Sequence, residues 1–121
     1  MEQKILRTAY SIPSDREKME AIINAVCLYY NIEEEALKFA GASKKMDITA
    51  IRRECFYLIL TNTTLKDKTI AYRLDINRSS VSLAKGIIDT HKEIYQQTRN
   101  NLKAIAAIAN TFDKTSEWHI Q

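Results

Sequence analysis

Arg78, Ser79, Ser80, Ser82, Leu83 and Lys85 crowd into one stretch, "RSSVSLAK", directly after "IAYRLDIN". Serine hydroxyls donate to or accept from base edges, leucine meets a thymine methyl, and cations meet phosphates. That is recognition chemistry rather than bond-making chemistry. His91 and His119 stand 28 positions apart, with no carboxylate or thiol at ligand spacing. No local Ser/His/Asp or Cys/His grouping suggests a nucleophile, and no GxxxxGK[ST] phosphate loop occurs. The expectation is a chain without catalysis, metal, cofactor or nucleotide. Cys27 and Cys55 lack C-x-x-C spacing and read as small core residues of a reducing cytoplasm.

For such residues to reach DNA, a helix must hold them outward. In a helix-turn-helix two helices cross steeply, so a small residue is needed where they meet and apolar residues must lock the corner. Ile70 and Leu74 lie one turn apart, Ala71 is the small residue, Ile76 plugs the turn, and Val81 and Ala84 anchor the second helix. Asp75 stands where a glycine commonly takes the left-handed turn, a conformation aspartate tolerates better than most residues. Asn77 is the expected N-cap of the second helix, beside Arg78.

At about 100° per residue, Val81, Ala84 and Ile88 share one side of that helix. Ser79, Ser82, Leu83, Gly86 and Thr90 share the other, with Arg78 and Lys85 on a flank. Gly86 lowers helix stability by about 1 kcal/mol relative to Ala and lets the backbone lie deep in a groove. The competing reading is a packed helical corner whose polar stripe faces water.

With 121 residues, 45% hydrophobic, one Pro and two Gly, the chain suits a single all-helical domain with its own core. The net charge of +3 is unevenly spread. Residues 1–37 hold four Lys/Arg against seven Asp/Glu, and residues 38–92 hold eleven against five. The basic third therefore contains the motif, as a phosphate-binding surface would. No apolar run is long enough to span a membrane and no signal peptide is visible, so a cytoplasmic, nucleoid-associated location is expected.

The other elements follow from capping and periodicity. Ser14 and Glu17 form an S-x-x-E capping box before Ile22, Ile23, Val26, Cys27 and Tyr30. Asn31 is expected to cap a short acidic helix that Gly41 stops. Asp47 or Thr49 caps a third helix carrying Ile51, Cys55, Leu58 and Ile59, and Thr64 with Asp67 caps a fourth. From Arg78 the pattern stays helical to about Phe112, with Ile88, Ile94, Leu102, Ile105 and Ala109 on one face and a bend near "TRNN". Tyr29, Tyr30, Tyr57, Tyr72 and Tyr95 read as core or core-edge residues. The division is an arm (1–13), a domain of five to six helices (14–112) and a tail (113–121) containing Trp118. Lys4, Arg7 and Tyr10 are further candidates for reaching DNA, although a docked or unstructured arm is the favoured reading.

The order of parts is informative: "YYNI", a short acidic helix, the basic loop "SKK", "RRECFYLILTN", then the helix-turn-helix. Together they resemble the C-terminal DNA-binding domain of the bacterial replication initiator DnaA, a Trp-repressor-like fold, over about residues 20–112. "CFYL" is similar to the family's A-M-Y-L run, and "RSSVSLA" is similar to the end of its D-H-T-T-V-x-x-A signature. The resemblance implies that the second helix enters the major groove and that Lys44 and Lys45 reach the adjacent minor groove or backbone. It aligns Ser79 and Ser80 with the Thr pair and Arg78 with the His. "LDINR" departs from G-G-R-D-H, with Ile76 and Asn77 replacing the signature's Arg and Asp, so a different DNA sequence is expected.

The reading is a helix-turn-helix module that binds double-stranded DNA, in a regulatory or replication-associated role. Its candidate contacts are Lys44, Lys45, Arg52, Arg53, Lys66, Lys68, Asn77, Arg78, Ser79, Ser80, Ser82, Leu83 and Lys85. The alternative is a protein-interaction adaptor that keeps the fold without sequence-specific DNA binding, supported by Asp75, the missing signature Arg and the acidic first third. A protein partner or homodimer is left open.

Overall fold

Ser14 opens the first helix as its capping box dictates: its hydroxyl accepts from Glu17 N–H at 3.1 Å, and Glu17 Oε1 accepts from Ser14 N–H at 2.8 Å. A computed structural model describes residues 14–38 and 48–115, without the side chains of 112–115. The described elements are α1 (Asp15–Tyr30), α2 (Glu34–Lys38), α3 (Ile48–Asn62), α4 (Asp67–Leu74), α5 (Arg78–Ile94) and α6 (Gln96–Thr115). No strand occurs among the described residues.

The helices α1 and α6 run antiparallel. Tyr29 meets Asn101 at one end of the pair, and Lys18 and Ala21 share a groove with Ala106 and Asn110 at the other. α3 packs against α1 and α5, and α5 also packs against α4 and α6. Met19, Ile23, Val26, Leu37, Phe56, Ile59, Ile70, Leu74, Val81, Ile88 and Ile105 are all but inaccessible to water. Each such side chain stabilises the fold by roughly 1.5–3 kcal/mol relative to exposure.

Several local expectations are not met. Asn31 is the left-handed C-cap of α1 (φ 57°) rather than the cap of α2, because its N–H closes onto Cys27 O and Leu28 O. Thr64 does not cap α4: its hydroxyl and N–H both donate to Asp15, and Lys66 holds the N-cap position without a side-chain hydrogen bond. Thr49 lies inside α3. The break between the last two helices falls at Tyr95, before "TRNN", and α6 runs past Phe112 to Thr115. Tyr72 (90% exposed), Tyr95 and Ile94 are exposed rather than packed. Gly41, Asp47, the arm, Trp118 and His119 lie outside the described residues.

Arg52 also departs from expectation. It is buried, and its Nε donates to Leu37 O at 2.5 Å while Nη2 reaches Ala36 O at 3.5 Å. Those carbonyls belong to a helix of five residues that cannot satisfy its own end. Arg52 ties α3 to α2 and is withdrawn from the phosphate-contact set. Its neighbour on the same helix, Glu54, is buried too. Tyr30 Oη donates to Glu54 Oε1, and Asn101 Nδ2 donates to Oε2 at 3.1 Å. Burial pushes the Glu54 carboxyl above its ordinary value.

Candidate nucleic-acid interface

The turn between α4 and α5 begins with Asp75 in the left-handed conformation, φ 56° and ψ 50°, its N–H bonded back to Ala71 O and Tyr72 O. Ile76 N–H returns to Ala71 O at 3.0 Å, which closes the end of α4. Asn77 then caps α5: its Oδ1 accepts from Ser79 N–H at 3.1 Å and from the Ser79 hydroxyl at 3.0 Å. Ile70, Ala71 and Leu74 from α4 and Val81, Ala84 and Ile88 from α5 are buried, with Ile76 packed against them. The apolar spacing in sequence thus becomes a locked corner.

A second fixture holds the corner to the rest of the molecule. Arg73 Nε and Nη2 donate to Glu20 at 2.5 and 2.7 Å, and Nη1 and Nη2 donate to Glu34 at 2.7 and 3.1 Å. One guanidinium therefore ties α4 to α1 and α2 through paired, charge-assisted bonds. Its hydrogen bonds hold the Glu34 carboxyl below its ordinary value.

The outer side of α5 exposes Ser79, Ser82, Leu83, Lys85, Gly86 and Thr90, and Leu83 is 64% exposed. A Cβ placed on Gly86 would meet nothing within 4 Å, so packing does not demand glycine there. At about 100° per residue, Ser79, Gly86 and Thr90 form the midline. Ser82 lies toward α4, and Leu83 lies toward α3. Arg78 and Lys85 keep to the α4 flank. Arg78, 68% exposed, holds Asp67 at 3.4 Å, and Lys85 holds Asp89 at 3.0 Å. Asp67 also accepts from the Ser82 hydroxyl, which with Arg78 keeps its carboxyl below the ordinary range.

On the opposite flank, a cleft of about 270 Å³ lies between α3 and α5, bordered by Arg53, Phe56, Ser80, Leu83 and Ile87. A smaller one of about 180 Å³ places Lys38 beside Ile76, Asn77 and Ser80. The structure thus gathers Arg53, Asn77, Arg78, Ser79, Ser80, Ser82, Leu83 and Lys85 around one helix. Lys66 and Lys68 bracket Asp67 at the start of α4, both exposed. Arg52 lies beneath the clefts with its donors turned to backbone. Lys44 and Lys45 lie outside the described residues.

Sequence reading missed two participants. Lys38 is distant in the chain from Asn77, and the packing of α2 on α3 with the Arg73–Glu34 bonds brings it near. Asp67 was read as a helix-start residue, whereas its carboxylate faces α5. Among the described residues no His, Cys, Asp and Glu group could hold a metal ion, and no helix is long and apolar enough to cross a membrane. Compared with protein-family models, curated proteins and solved structures, the chain finds no match in any of them.

Proposed function

We propose that this chain binds double-stranded DNA, with α4 and α5 as its helix-turn-helix and α5 seated in the major groove. The likeness to the DnaA DNA-binding domain and the Trp-repressor-like fold, and a regulatory or replication-associated role, belong to the same proposal. The observation that carries it is the outer strip of α5: short, uncharged groups on the midline, with cations on both flanks. An α-helix fits the major groove only if its groove-facing side chains are small enough to approach base edges. Arg53 and Lys38 on one side, and Arg78, Lys66 and Lys68 on the other, are suited to the two phosphate walls. Lys44 and Lys45 extend the same basic segment.

Titration with duplex DNA over a range of salt concentrations tests this. Binding should be saturable, and log affinity should fall linearly with log salt, by about 0.9 per phosphate contact. Arg53→Ala and Arg78→Ala should each reduce that slope by about one contact. Saturable binding should be absent at low salt if the chain is instead a protein-interaction adaptor. Exposed Leu83 beside the Phe56 and Ile87 cleft is the observation favouring that second reading.

A further inference from the structure

Three hydroxyls along the outer side of α5 have already committed their protons. Ser79 Oγ donates to Asn77 Oδ1 at 3.0 Å, Ser82 Oγ donates to Asp67, and Thr90 Oγ1 donates to Gly86 O at 3.2 Å. Each oxygen therefore turns lone pairs, not a proton, toward an incoming ligand. Asn77 spends its Oδ1 on the cap, which leaves its Nδ2 donors at the very start of α5, ahead of the midline. Arg78 and Lys85, the cations that could pair with guanine, stand off the midline on the α4 flank, beside Asp67 and Asp89. Acceptor oxygens, one bare backbone position at Gly86 and one exposed apolar side chain, Leu83, remain.

In the major groove a G·C pair presents two adjacent acceptors, guanine N7 and O6, which the committed hydroxyls of Ser79, Ser82 and Thr90 do not meet. An A·T pair presents the adenine N6 amino donor and the thymine methyl. Acceptor hydroxyls match the first and Leu83 matches the second. We infer that the chain, if it binds DNA as proposed above, selects A·T pairs under α5, with Leu83 seated on a thymine methyl. The inference rests on that reading and goes further by naming the base pair and the contacting side chain.

Selection from a random-sequence duplex pool, made once with thymine and once with deoxyuridine, isolates the methyl group. The thymine pool should enrich an A·T-containing motif. Replacing the contacted thymine by deoxyuridine should weaken binding about fourfold, the worth of one buried methyl. Leu83→Ala should abolish the thymine preference while leaving the salt slope unchanged, and Leu83→Met should restore it. Because Leu83 is 64% exposed, these variants are expected to fold, which circular dichroism verifies. Equal binding to both pools, a motif dominated by guanine, or a thymine preference that survives Leu83→Ala overturns the inference and leaves DNA binding standing. Absence of saturable binding to either pool overturns both.

Discussion

Arg73 and Arg78 lie five positions apart across the same corner, and their surroundings are opposite. Arg73 makes four hydrogen bonds to two carboxylates on other helices, and its side chain is 23% exposed. Arg78 makes one long contact to Asp67 and is 68% exposed. A guanidinium with every nearby acceptor in place is part of the architecture. One with donors still facing water is available for an outside anion. The same contrast separates Arg52, turned onto the carbonyls of α2, from Arg53 beside it on the α5 cleft. Arginine count therefore says little about binding; the partners already made decide which arginines remain.

The largest expected effect tests the inner half of that contrast. Arg73→Ala should lower unfolding stability by about 2 kcal/mol, discounted from the value for a fully buried pair because the seam is partly exposed. It leaves Glu20 and Glu34 facing each other. Denaturant titration should show a lower midpoint at unchanged slope. Arg78→Ala should move that midpoint by less than about 0.5 kcal/mol while weakening DNA binding. Equal destabilisation by both substitutions would dissolve the distinction.

Gly86→Ala comes next and joins the two halves. With open space around the position, alanine should raise helix stability by up to about 1 kcal/mol, read as a higher Tm. The same methyl group intrudes on the midline proposed to face the groove, so DNA affinity should fall. A more stable variant with unchanged affinity would remove α5 from the interface.

The pH dependence separates two carboxylates, the half-buried Glu34 and the buried Glu54. Glu34 has a lowered folded-state pKa, so its contribution is present above the unfolded value near 4.5 and is lost as pH falls through the folded value. Glu54 has a raised one, so its contribution is present below 4.5 and is lost as pH rises through the folded value. Stability measured across this range should therefore lose its decline on the alkaline side in Glu54→Gln and its decline on the acid side in Glu34→Gln.

The smallest effect concerns Asp67, the acceptor shared by Arg78 and Ser82. Asp67→Asn should free Arg78 and remove one negative charge from the flank proposed to face phosphate. Low-salt DNA affinity should rise modestly, by no more than about the factor of ten that one contact is worth. A fall would show that Asp67 positions Arg78 productively instead.

Much of the frame is legible in the residues themselves. The capping box at Ser14, the left-handed Asp75, the Asn77 cap and the buried set Ile70, Ala71, Leu74, Val81 and Ala84 all stand where spacing places them. These are interactions within one helix or one turn, so short windows of sequence contain both partners. Two misreadings occur where a partner is remote: Thr64 turns to Asp15, and Arg52 to Leu37 and Ala36. A third is local, since Asn31 can end one helix as readily as begin the next, and it closes α1. A threonine three residues before an aspartate looks like a cap until another carboxylate competes for its hydroxyl.

By itself the sequence determined the all-helical class, the α4–α5 corner and which side of α5 faces outward, because helical periodicity and capping act over a few residues. Tertiary packing decided which cations are spent and which are free, that Lys38 joins the α5 cleft, and that Asp67 faces Ser82 and Arg78. The physical reason is that charge pairing and burial depend on distance in space, and chain separation does not encode that distance.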